Sequence, residues 1–188
     1  MGFVILLAIL AAMAGYGFSV YNGLLMLRQQ VGQAWDEIDA LLVQRHDELP
    51  QLFEACGRHL HDERDTLRRA TKAHAVVFQA AGGRDVAAVG AAESLLRPAL
   101  AQLLAAVEDI PALQADGSFC HLRARIARRE SDIEDRREFY NGAVNLYNVR
   151  LSRRPGAIVA GLCGLHDATP LEFPGLQRPG ADGETRSG

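Results

Sequence analysis

Cysteine is scarce, and the few present do not pair. Cys56, Cys120 and Cys163 are the three in 188 residues. This odd, widely spaced set builds neither a disulfide framework nor a zinc site, and it suits a reducing compartment. Aromatics make up only 6% of the chain, too few for an aromatic-rich β-sandwich, and no strand-like alternation runs beyond a few residues. Among twenty basic residues only Lys72 is a lysine, which reads as codon bias rather than function. A basic surplus is missing too. With a formal net charge of -3 and a pI near 6.1, nucleic acid is excluded as a partner.

The chain also lacks a Gly-rich phosphate loop, a G-x-S-x-G elbow and a Cys–His signature. No Glu has a His three residues later, so the ferritin-like di-metal pattern is absent. His59 and His61 would sit about 200° apart on a helix and cannot share a metal from one face. No catalytic, cofactor-binding or metal residue is predicted, no cofactor is expected, and the chain is not expected to be an enzyme.

What is present is a long uncharged run. Residues 3–21, FVILLAILAAMAGYGFSVY, span roughly 28 Å as a helix, about one hydrocarbon core. Tyr16 and Tyr21 lie in its last turns, where aromatic rings favour the interface, and Arg28 is the first cation. A cleaved signal peptide competes, because Ala12-Met13-Ala14 has the A-x-A form. The missing basic n-region and the apolar run through Val20 favour a retained anchor. Arg28 and Arg45 follow the span and no Lys or Arg precedes it, so the rest of the chain is expected to be cytoplasmic.

Beyond the anchor the apolar residues keep helical spacing. Leu24, Val31, Trp35, Ile38, Leu42 and Leu49 form a coiled-coil-type seam. That helix is predicted to end near Glu48, since Pro50 pushes its predecessor from helical angles. A second helix carries Phe53, Cys56, Leu60, Leu67, Ala70 and Val77 and stops at Gly82-Gly83. A third runs from Asp85 through Val89, Ala92, Leu96, Leu103, Val107 and Ile110, with a kink predicted at Pro98. Pro111 and Asp116-Gly117 mark the next turn. The fourth carries Phe119, Leu122, Ile126, Ile133, Tyr140, Val144, Tyr147 and Leu151, and Pro155 closes it.

The expected fold is all-α: an N-terminal transmembrane helix continuous with an antiparallel up-down four-helix bundle, then a short C-terminal apolar helix. The boundaries are 3–21 for the anchor, 22–153 for the bundle, 155–173 for the apolar segment and 174–188 for a disordered tail. The stretch 156–165 is too short to span a bilayer. It is expected to pack near Val20, Tyr21 and Leu24 or to lie in the interface, with Arg153 and Arg154 facing headgroups.

Some polar residues fall on the seams: Glu63 and His74 in the second helix and Arg129 in the fourth, with Arg137 bordering. Paired, they would fix helix register. Arg123, Arg125, Arg128 and Arg129 with Glu130, Asp132, Glu134 and Asp135 form a mixed-charge belt. Its simplest reading is a solvated face with i,i+4 pairs, and its rival a partner-binding surface.

Tyr21-Asn22, Leu24, Leu27-Arg28, Val31, Ala34-Trp35, Ile38-Asp39, Arg45-His46-Asp47, Leu49-Pro50 and Leu52 resemble the LemA family. So do Leu103-Leu104, Glu108, Pro111, Leu113 and Phe119, and further on Glu130, Ile133, Arg137, Tyr140-Asn141, Val144 and Tyr147-Asn148. The resemblance covers about residues 20–173. It implies a single-pass protein of the bacterial inner membrane with a helical-bundle body and no known enzymatic activity. The chain departs from the family pattern at Arg154-Pro155, Gly164-Leu165, Leu171-Glu172-Phe173, His74 and Asp62.

Counted from a turn at Glu48, Arg28 lies about 30 Å away and Asn22 roughly 39 Å. From Gly117, Arg137 lies about 30 Å and Asn148 about 46 Å away. Tyr21, Asn22, Arg28, Arg137, Tyr140, Asn141, Tyr147 and Asn148 are therefore expected to form a membrane-proximal polar collar, either structural or a partner or headgroup site. Two functions stay open. One is a membrane-tethered interaction or scaffold protein, with the lipid bilayer and a membrane or cytoplasmic protein as partners and homo-oligomerisation allowed. The other is a ligand-binding or catalytic bundle using a polar interior around Glu63 and Arg137.

Overall fold

The computed structural model describes residues 1–60, 64–81 and 85–173. Among these the chain is all-α, with no strand and six helices: α1 Gly2–Gly57, α2 Arg64–Ala81, α3 Val86–Ala106, α4 Pro111–Gln114, α5 Gly117–Ser152 and α6 Gly156–Cys163. The first part of α1 is long and apolar enough to cross a membrane, and none of its most apolar window is buried. The expected tail at 174–188, the stop at Gly82-Gly83, and His61, Asp62 and Glu63 lie outside the described residues.

The largest departure from the sequence reading is at Pro50. The predicted helix end near Glu48 does not occur, and α1 passes through Pro50 to Gly57. A proline inside a helix removes one hydrogen bond and costs about 3 kcal/mol. Here the orphaned acceptor is the His46 carbonyl, four residues earlier, and His74 Nε2–H donates to it at 3.3 Å. Leu49 before the proline and Leu52, Phe53 and Cys56 after it carry the seam across, and all four are buried. Their burial, at about 1.5–3 kcal/mol for each large side chain, outweighs the lost bond.

Other boundaries follow local chemistry. Asp85 caps α3, its Oδ1 accepting from the amides of Ala87 and Ala88 at 3.0 and 3.2 Å. Asp116 does the same for α5 through Ser118 and Phe119 at 2.8 and 3.3 Å. Pro111 opens the single turn of α4, and α3 continues through Pro98. Gly164, at φ 64°, ends α6 in the left-handed region that glycine tolerates.

The chain packs as two units. In the first, Met1–Leu41 with Ser131–Pro170, α1 and α5 run antiparallel: the rings of Trp35 and Tyr140 meet at a tilt with centroids 5.7 Å apart, and Arg136 pairs with Glu37 at 2.9 Å. Leu24, Val31 and Ile38 are buried there, as are Ile133, Tyr140, Val144, Tyr147 and Leu151. Trp35 is only half-buried, because the seam passes through its neighbour Ala34. In the second unit, α1 from Leu42 onward, α2, α3, α4 and the start of α5 contribute to one core, including Leu52, Val77, Leu96, Leu113 and Ile126.

Candidate functional site

The buried seam of the second unit carries charge. Arg45 on α1 is 1% exposed and Glu93 on α3 is fully buried. Arg45 Nη2 donates to Glu93, and its Nη1 donates to Glu130 on α5 at 2.7 Å. Arg97, one turn after Glu93, lies 3.0 Å from Glu130 and 3.8 Å from Glu93. Two guanidiniums and two carboxylates thus neutralise one another across three helices. Burial pushes the Arg45 guanidinium down, but Glu93 and Glu130 outweigh it, leaving its pKa above the ordinary arginine value. Arg97 also covers the ring of Phe173 at 4.1 Å. Leu171 and Phe173 are buried here, and a β-carbon at Gly90 would run into the Glu172 carbonyl, so only glycine admits that segment.

The sequence reading treated Arg45 as a topology signal and passed over Glu93. A signal was available. Ile38, Leu42, Arg45, Leu49 step by four, three and four, as do Val89, Glu93, Leu96, Leu100, so both charges lie on apolar seams. Their chemical work is to set which helix faces which, since an ion pair of this kind contributes specificity more than net stability.

One residue along, His46 stacks between His74 and Phe78 at 4.2 and 4.4 Å, with Phe53 edge-on to His74. The bond to the His46 carbonyl assigns the His74 proton to Nε2. Burial, and then the neighbouring His46, lower the His74 pKa. Cys56 is buried and its thiol is pushed up to about 11, making it inert at neutral pH.

The mixed-charge belt is not chiefly a set of i,i+4 pairs. Arg129 forks onto Glu48 at 3.1 Å through two nitrogens, Arg125 approaches the same carboxylate at 3.4 Å, and Arg123 approaches Glu108 at 3.7 Å. The spacing along α5 is real, but the carboxylate that Arg125 and Arg129 approach stands on α1, and the one near Arg123 lies between α3 and α4. No group of three His, Cys, Asp or Glu among the described residues is placed to hold a metal.

The expected collar lies in the first unit and is spread along it. Tyr140 Oη donates to the Thr169 carbonyl at 2.7 Å and Tyr147 Oη to that of His166 at 3.1 Å. Asn148 both donates to the Ala168 carbonyl and accepts from its amide, at 2.8 and 2.9 Å. These three fasten the extended segment 164–170 along α5. Burial raises the pKa of both tyrosines, and Arg28 acts on Tyr147 with the opposite sign. Arg28 and Asn22 are exposed, Tyr21 and Asn141 half-buried. Arg137 pairs with Glu134 on its own helix. Because α1 turns back beyond Gly57 rather than at Glu48, the count that put Arg28 level with Arg137 does not hold. Arg28 acts at Tyr147, whereas Arg136, beside Arg137, pairs with Glu37.

The LemA family profile matches residues 34–180. Magnetosome protein MamQ 2 and magnetosome protein MamQ 1 of Paramagnetospirillum magneticum (strain ATCC 700264 / AMB-1) are each 33% identical over 70 residues, which is 37% of this chain. The match spans 26% of the length of each relative.

Proposed function

The chain belongs to the LemA family, and on that premise we propose that it is a membrane-tethered interaction scaffold without catalytic chemistry of its own. In this reading α1 crosses the bacterial inner membrane once over about residues 3–21, and a four-helix body at 22–153 works in the cytoplasm. The single observation that carries it is the make-up of α1: one uninterrupted helix whose first part is uncharged and exposed and whose later part is packed. The core shared by α1, α2, α3 and α5 supports an up-down-up-down bundle.

The interior polar groups support a scaffold over an enzyme. Arg45, Glu93, Glu130 and Arg97 are spent on one another, whereas a catalytic centre needs convergent groups facing a cavity. Arg137, which the competing reading placed in a catalytic interior, pairs with Glu134. Arg28 and Arg45, the first cations after the uncharged run, support the cytoplasmic orientation.

A reporter fused after Gly188 tests the topology: activity in the cytoplasm is expected, and activity in the periplasm overturns the orientation. Photo-crosslinking from exposed α5 positions such as Arg128 in intact cells tests the scaffold role. A discrete crosslinked protein is expected. Turnover of a small molecule by the purified chain, abolished by changes in its interior, would overturn it.

A further inference from the structure

The first unit contains a groove of about 770 Å³ between α1 and the end of α5. Val20, Leu24 and Leu27 line it from α1, and Leu146 and Val149 from α5. Three cations, Arg150, Arg153 and Arg154, line it as well. All three are exposed, and none forms an ion pair among the described residues. An apolar trough bearing three uncompensated guanidiniums is a poor surface to leave in water.

Its depth gives it meaning. In the antiparallel register set by Trp35 with Tyr140 and Glu37 with Arg136, α5 falls one residue for each residue α1 gains. Arg150, Arg153 and Arg154 therefore stand beside about residues 21–25 of α1. There the uncharged run meets its first strongly polar residue, Asn22, at headgroup depth if α1 spans the bilayer. From the cations the groove continues past Val20 to Tyr16, toward the hydrocarbon. Just after Pro155, α6 exposes Ile158 and Leu162 at 58% and 83%, an apolar face suited to the same boundary.

We propose that this groove binds an anionic phospholipid of the surrounding leaflet. Its phosphate is held by Arg150, Arg153 and Arg154, and an acyl chain lies along Leu24, Val20 and Tyr16. The proposal rests on the membrane reading above. Charge complementarity selects the occupant: planar guanidiniums fork onto phosphate oxygens, and a diester keeps its charge at every physiological pH. The site would fix the depth and rotation of α1 and favour anionic patches of membrane.

The test uses the full chain, extracted in mild detergent and titrated with phosphatidylglycerol or phosphatidylcholine in native mass spectrometry. The wild-type chain should retain phosphatidylglycerol selectively. Arg150→Gln with Arg153→Gln and Arg154→Gln should lower that retention about 100-fold, at roughly fivefold per charge, and leave phosphatidylcholine unchanged. Gly23→Phe should exclude both lipids without harming the fold, because nothing lies within 4 Å of a β-carbon built there. Equal retention of the two lipids by the wild-type chain, or no effect of either variant, overturns the site. So does a dimer that Gly23→Phe splits while lipid retention stays constant, since a second copy would then fill the groove. A wild-type chain found in the soluble fraction overturns the membrane reading and this proposal together; an integral chain with no anionic preference overturns this proposal alone.

Discussion

Glu93→Ala isolates the energetics of the buried charge cluster. Glu93 is fully buried and Arg45 is 1% exposed, so removing the carboxylate leaves two guanidiniums to share Glu130, which is 29% exposed. Losing one partner of a buried pair costs about 3–5 kcal/mol, mostly because the other charge stays desolvated. For a chain of this length that corresponds to a drop in Tm of roughly 6–20 °C. Far-UV circular dichroism of the full chain in micelles would follow the melt. Added salt should not recover the loss, because buried charge is poorly screened. Arg45→Met combined with Glu93→Leu should regain most of it, so that the two single changes are non-additive by at least about 2 kcal/mol. A Glu93→Ala protein melting within 2 °C of wild type, or additive single and double changes, would refute a register lock built on this pair.

Three further outcomes follow from named contacts. The His74 pKa is lowered in the folded chain, so the unfolded chain binds more protons as pH falls through about 6.5; Tm should fall with acid below that point, and a slope unchanged in His74→Gln would remove His74 as its source. Asn148→Ala breaks both bonds to Ala168 and should cost about 1–3 kcal/mol; hydrogen exchange at the Ala168 amide should accelerate, and unchanged protection would show that other contacts hold 164–170. Trp35 is half-buried, so Trp35→Ala should cost about 1.5–2.5 kcal/mol, roughly half the loss for a fully buried aromatic; a loss above about 4 kcal/mol would place its ring in the core.

Periodicity made much of this legible. The seam positions that periodicity picks out on α5, Phe119, Leu122, Ile126, Ile133, Tyr140, Val144, Tyr147 and Leu151, are all buried, because a 3.6-residue repeat reports directly on which face is dry. Pro50 defeats a purely local rule because His74, 28 residues beyond His46, takes up the carbonyl that the proline orphans. Trp35 misled because the bulkiest residue near the stripe was assigned to it, although Ala34 lies on it. Arg45 and Glu93 have the spacing of core as much as Glu63, His74 and Arg129 do, but nothing local shows which polar seam residue finds a buried partner on another helix. The polar residues Tyr140, Tyr147 and Asn148 stand together in the expected collar, yet no local pattern tells that their partners are the backbone carbonyls of 166–169.

The membrane reading depends on the uncharged first part of α1 remaining attached and lying in the bilayer. Carbonate extraction of native membranes, followed by intact-mass measurement of the pelleted protein, tests that most directly. The whole chain should resist extraction with its first residues attached, because an uncharged helix of about 28 Å holds it. A carbonate-soluble form beginning near Gly15 would contradict it, since that product would mean the run at 3–21 is a cleaved leader.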